Sequence, residues 1–271
     1  MLKKPLLIKM LQTSIATIAV ILFAQFAVIS VAHAQASIFE VVHPDVERGE
    51  VEFEVLNGFA TGSVEEGEER SAHELAIGYG FTDYWKLTAA VEIANPQGED
   101  AEVEGFEFES LLLLAKGGEH GEEEGGEDGH HGPTLGLFTA LEIPREGGID
   151  EGALEIGPVL EADLGGLEFV GNVFVEIPFA GGEDPGLAYA SQLLFPEAGG
   201  FRFGVENFGE FEGLFGDRGE EQHFFGPGIY WEAQLSNGHV IEPRVAVLFG
   251  LNDETPDTTI SFNIEYKIGQ K

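Results

Sequence analysis

The sequence predicts an all-β chain folded as an up-and-down antiparallel transmembrane β-barrel of about 12 strands, and three observations lead there. Apolar and polar residues alternate strictly in run after run, the period of a strand with one greasy face. The connections between runs are alternately short and long. The amino terminus has the layout of an export signal. A meander of two-faced strands, with tight turns at one rim and longer loops at the other, closes its own edges and can sit in lipid.

The runs follow in order. Val51, Phe53 and Val55 alternate with Glu50, Glu52 and Glu54, and the acidic stretch 62–70 then reads as a loop. Leu75, Ile77, Tyr79 and Phe81 share one face of the next run, which turns tightly at Thr82-Asp83-Tyr84 into Trp85, Leu87, Ala89, Val91 and Ile93. Asn95-Pro96-Gln97-Gly98 signals a loop. The run 105–115 carries Phe106, Phe108, Leu112 and Leu114 outward, but Leu111 and Leu113 make its second half apolar on both sides. Leu135 to Ile143 and Leu154 to Leu164 follow, and Gly165-Gly166 reads as a two-residue hairpin turn into Leu167 to Ile177. Leu187 to Phe195, Phe201 to Asn207 and Phe225 to Leu235 come next. Ser236-Asn237-Gly238 is the strongest turn signal, leading to Ile241 to Leu251 and finally Thr259 to Ile268.

Lys3, Lys4 and Lys9 precede an apolar run ending in Ala32-His33-Ala34-Gln35-Ala36. We read residues 1–36 as a signal peptide cut after Ala36 by signal peptidase, and 37–271 as one barrel domain delivered to the outer membrane of a Gram-negative bacterium by the barrel-assembly machinery. The residues from Ser37 to the first strand read as a short lead. The 271 residues include 49 acidic and 13 basic side chains, for a net charge of -36, and no Cys. Such acidity excludes nucleic acid as a partner, since phosphate binding needs a basic footprint, and the lack of Cys excludes disulfides and thiolate metal sites.

With the apolar faces toward lipid, the opposite faces line a lumen. Glu52, Glu54, Glu92, Glu107, Glu109, Glu242 and Glu265 then point inward with Arg202, Arg244 and Lys267. Unpaired carboxylates favour small cations or neutral solutes over anions, and Arg202 and Arg244 are expected to pair glutamates on neighbouring strands. The same carboxylates equally suit a lumen that plugs itself. Tyr79, Phe81, Tyr84 and Trp85 at one turn, Phe195 and Phe201 at another, and Trp231 near a third suit an interfacial girdle. The sequence leaves the oligomeric state open.

Tyr79-Gly80-Phe81-Thr82-Asp83-Tyr84-Trp85, together with His43-Pro44 and Glu47-Arg48-Gly49-Glu50-Val51-Glu52, resembles porin-like outer-membrane proteins of the phenol-degradation MetA-pathway type. That resemblance implies a barrel with an uptake role and no transferable catalytic residues. Many such barrels end on an aromatic residue. This chain ends Ile268-Gly269-Gln270-Lys271, with Tyr266 its nearest aromatic.

Residues 116–133 form a Gly/Glu/His segment in which His120, His130, His131, Glu127 and Asp128 offer imidazole and carboxylate ligands. Those donors suit zinc, nickel or copper, yet the spacing is irregular, so a solvated loop with at most a loosely bound divalent cation is the other reading. No dedicated cofactor is expected. Two other functions fit the same alternation. One is a soluble secreted or periplasmic ligand-binding barrel. The other is an outer-membrane lipid-ester hydrolase, which needs Ser and His in hydrogen-bond reach. Ser110, Ser191 and Ser261 lie on runs, while His73, His223 and His239 fall near run ends without an evident partner, and no G-x-S-x-G elbow exists. The sequence therefore reads as non-enzymatic.

Overall fold

The computed structural model describes residues 38–61, 69–96, 98, 100–117, 132–182, 184–214, 221–252 and 255–269. The proposed signal peptide and the ligands His120, His130, His131, Glu127 and Asp128 lie outside them. The strands are β1 (Val51–Thr61), β2 (Glu69–Thr82), β3 (Trp85–Pro96), β4 (Glu102–Ala115), β5 (Thr134–Pro144), β6 (Ala153–Asp163), β7 (Glu168–Pro178), β8 (Gly186–Leu194), β9 (Arg202–Phe211), β10 (Glu221–Tyr230), β11 (Ala233–Gln234), β12 (Val240–Gly250) and β13 (Thr258–Ile268). Each pairs antiparallel with its sequence neighbour from β1 to β10. The ring then closes through β10 with β12, β12 with β13, and β13 with β1. Twelve long strands make the wall, and the two-residue β11 pairs only with β12.

The run predicted from Phe225 to Leu235 is broken after Tyr230. Opposite Trp231 stands Pro243, which has no N–H to give; it only accepts from the Trp231 N–H at 3.2 Å. The predicted glycine turn is present as drawn. Asp163 Oδ1 accepts from the Gly165 and Gly166 N–H groups at 2.7 and 3.0 Å, and both glycines have positive φ, 80° and 93°.

Pairing fixes which face is which, because one slip in register would turn every side chain over. Phe53, Leu75, Ile77, Phe106, Phe108, Val173, Phe203 and Ile260 point out and are 41–51% exposed. Their neighbours at odd spacing, Glu52, Glu74, Glu206, Thr259 and Ser261, are buried inside. The closing seam between β1 and β13 pairs Glu54 with Glu265 and Glu52 with Lys267, as alternation required.

The short lead before β1 runs inside the barrel: Phe39 packs there against Phe208 and Phe224, with ring centroids 5.0 and 4.7 Å apart. Phe39 and Val41 join Val170, Ala190, Phe208, Phe224, Ala246 and Leu248 in one apolar cluster. Val46 joins Leu111, Leu113, Phe138, Ala140, Val159 and Phe174 in another. The hydrophobic core of this protein is therefore the grip of the wall on its own amino-terminal segment.

Candidate functional site

Residues 38–50 form a stopper held to the wall by its backbone as well as by its side chains. An extended segment inside a closed sheet has no strand to pair with, so its polar groups must find side-chain partners. Asn172 of β7 serves Val42 twice, accepting from its N–H and donating to its carbonyl, each at 2.9 Å. The Phe39 carbonyl accepts from Arg244 Nη1 at 2.8 Å and Asn263 Nδ2 at 3.0 Å. Lys116 Nζ donates to the Val46 carbonyl at 3.1 Å. Near the rim, Gly49 N–H donates to the Gly80 carbonyl at 2.7 Å, and a Cβ on Gly80 would stand 1.9 Å from the Glu47 carbonyl oxygen.

Arg244 is the main fastener. Its guanidinium grips both carboxylate oxygens of Glu206, a residue 0% exposed, while Nη1 reaches the stopper. A planar fork suits this double task, which a lysine could not perform. Tyr230 donates its hydroxyl to the same carboxylate. Arg202 Nη1 donates to Glu168 at 2.7 Å. Both arginine pairs skip a strand, β9 to β7 and β12 to β9, rather than joining neighbours as expected; neighbouring inward side chains are already stacked side by side, and the long arginines reach past them. Lys86 meets Glu52 at 2.6 Å, and Lys267 is shared among Glu265 at 3.2 Å, Glu242 at 3.3 Å and Asp45 of the stopper at 3.5 Å.

The stopper divides the lumen into two vestibules. The one at the rim where β1 begins and β13 ends has a volume of about 730 Å³ and mixes acids with Lys86, Lys116, Arg202, Arg244 and Lys267. Of the residues singled out from the sequence, Glu52, Glu54, Glu109, Glu242, Glu265, Arg202, Arg244 and Lys267 line it. Glu92 and Glu107 line the far vestibule, about 260 Å³, with Glu74, Glu142, Glu155 and Glu210. Among the described residues no Lys or Arg lines that second chamber. Glu74, Glu92 and Glu107 bring carboxylate oxygens within 4.8 Å of one another, and Glu74 Oε1 is buried without a hydrogen-bond partner.

His43 belongs to the stopper and not to a strand. Its ring lies 3.5 Å from Glu161. Burial works to lower its pKa, but the hydrogen bond to Glu161 and the charges of Glu161, Glu168 and Glu265 outweigh it, and the pKa is raised above 6.5.

The lead is short, and nothing in its own residues marks it as a stopper. Its partners carry the signal: Leu56, Leu111, Leu113, Phe138, Phe174, Phe208, Phe224 and Leu248 occupy inward positions that a water-filled lumen would make polar. The histidines require a correction. His73 is not at a strand end but the fifth residue of β2, and its ring nitrogens meet Asn57 and Ser71. His223 and His239 have partners in Tyr189 and Tyr266.

Solved porin structures resemble this barrel. The KdgM porin in complex with disordered oligogalacturonate gives a TM-score of 0.49 at 8% identity, over 82% of this chain and 99% of that one. OccAB2 of Acinetobacter baumannii gives 0.38 at 12% identity, over 87% and 67%. OprD of Pseudomonas aeruginosa gives 0.33 at 11% identity, over 80% and 66%. No family model matches the chain, and no curated protein matches its sequence. The reading of the site rests on this chain's own geometry.

Proposed function

We propose that this chain is an outer-membrane porin-like channel for small solutes, leaning toward cations, whose conducting path opens when the stopper 38–50 leaves its seat. The observation that carries this is a segment threaded between two acidic chambers inside a ring whose outer face carries a band of large apolar side chains. A soluble barrel turns its large apolar side chains inward, whereas here Phe53, Phe106, Phe108 and Phe203 stand in the open with no partner surface. That favours lipid over the soluble ligand-binding reading. The start of β1 and the end of β13 share a rim with the hairpin turns at Thr82, Gly165 and Asn237, which makes that rim periplasmic if short turns face the periplasm. β4 ends and β5 begins at that same rim.

The far chamber gives the path its cation preference. Three carboxylates this close in a confined space cannot all hold charge without a counterion, and oxygens up to 4.8 Å apart can share a calcium-sized ion bound at about 2.4 Å. Glu74, with its unpartnered Oε1, is the anchor of that resting place. A metal role for His120, His130 and His131 remains a separate proposal, as does an uptake role of the phenol-degradation MetA-pathway type. Insertion is tested by outer-membrane fractionation and heat-modifiable gel migration. Selectivity is tested in planar bilayers under a salt gradient: a reversal potential of cationic sign supports the reading, and one of anionic sign refutes it.

A further inference from the structure

Three polar side chains meet on the outer wall. Asn57 of β1 and His73 of β2 are cross-strand partners, and Ser71 precedes His73 by two residues, hence on the same face. His73 Nδ1 lies 2.9 Å from Asn57 Oδ1, and Nε2 lies 3.1 Å from Ser71 Oγ. The roles within this chain follow from its far end. Asn57 Nδ2 donates to the Phe262 carbonyl at 2.7 Å, which turns Oδ1 toward the imidazole as an acceptor. Nδ1 therefore carries the proton, and the Nε2 lone pair faces the Ser71 hydroxyl. The backbone N–H of Asn57 is held as well, by Asn263 Oδ1 at 3.2 Å.

A serine, a histidine in the tautomer that accepts its proton, and an amide that fixes the tautomer are the parts of an activated nucleophile. Their surroundings are apolar. Phe59 sets its ring edge-on to His73 with centroids 5.4 Å apart, and Phe59 and Leu75 on the same face are 40% and 49% exposed. Polar groups among lipid-facing residues are costly, so a bonded trio there asks for a function. Ser71 is 6% exposed, so the site suits a substrate that inserts among Phe59 and Leu75 from the apolar side. It also lies toward the rim where β1 ends and β2 begins, Ser71 being the third residue of β2.

We propose that Ser71, His73 and Asn57 form an outward-facing hydrolase site for acyl esters of membrane lipids. Ser71 Oγ attacks the ester carbonyl carbon as His73 Nε2 takes the hydroxyl proton. The carbon–oxygen bond to the alcohol breaks, and His73 returns the proton to the leaving alcohol. Water, deprotonated by His73, then attacks the acyl-Ser71 ester, releases the fatty acid and restores the serine. Asn57 is a positioning residue. The inference rests on the membrane placement proposed above but not on conduction.

The test uses the full mature chain in detergent, treated with a fluorophosphonate probe and assayed on phosphatidylcholine mixed micelles. Mass spectrometry is expected to find the adduct on Ser71, with fatty acid released at a rate that Ser71→Ala reduces to blank. His73→Ala should cost about 10²–10⁴-fold. Asn57→Ala should lower kcat and shift the pH limb with KM unchanged, and Asn57→Asp should restore both. The adduct is read on unsubstituted protein, so a misfolded variant does not blunt the test. A heat-modifiable, membrane-inserted barrel with no adduct on Ser71 and no release above blank overturns the proposal and leaves the channel reading standing.

Discussion

Replacing Phe39 by Ala should unseat the stopper. Phe39 is 4% exposed and packs on Phe208 and Phe224, so its truncation removes the one aromatic anchor that the stopper gives to a cluster it otherwise enters only through Val41. Phe→Ala in such a setting costs about 3–5 kcal/mol. At about 1.4 kcal/mol per factor of ten, the population with the stopper displaced rises about 10²- to 10³-fold or more. The twelve-strand ladder is untouched, as are the bonds from Arg244 and Asn263 to the Phe39 carbonyl. The loss therefore falls on seating, and the wall remains folded. Single-channel recordings should show openings that are rare in the natural protein and frequent in the variant, with the same reversal potential. A variant that keeps its heat-modifiable migration yet opens no more often refutes the reasoning.

Other changes probe the same arrangement. Arg244→Ala leaves Glu206 buried with its charge uncompensated, and should lower unfolding stability by about 3–5 kcal/mol in urea titration while also freeing the stopper. Gly80→Ala puts a methyl against the Glu47 carbonyl, where the chain enters the barrel, and should raise openings without altering selectivity. Glu142→Gln with Glu155→Gln thins the charge of the far chamber and should move the reversal potential toward zero in a salt gradient. His43 predicts a pH effect. Its pKa is raised in the seated state, so its contribution is complete below 6.5 and is lost as pH rises through the seated value. Openings should become more frequent above that range, and His43→Ala should remove the step; the effect is small because His43 and Glu161 are 38% and 35% exposed.

Alternation alone made the wall legible, since a period of two assigns each side chain to lipid or lumen and the pairing then has one register. Glu52, Glu109, Arg202 and Lys267 stand where that rule puts them. The contents of the lumen were not legible, because alternation describes a strand's own faces and says nothing of a segment from elsewhere in the chain. The double apolar character of Leu111 and Leu113 was visible, but its cause, Val46, lies 65 and 67 residues away in sequence. The Ser71, His73 and Asn57 contact was hidden for a related reason. Ser71 and His73 share a face by spacing, but Asn57 joins them only through the β1–β2 register.

The most direct measurement of the central claim locks the stopper in place. The chain has no cysteine, so a pair introduced at positions 42 and 172, where Val42 meets Asn172, can be bridged by a short bis-maleimide without side reactions. If the stopper gates the lumen, bridging abolishes the openings of the Phe39→Ala background, and the same protein left unbridged keeps them. Undiminished openings in the bridged protein would contradict the account.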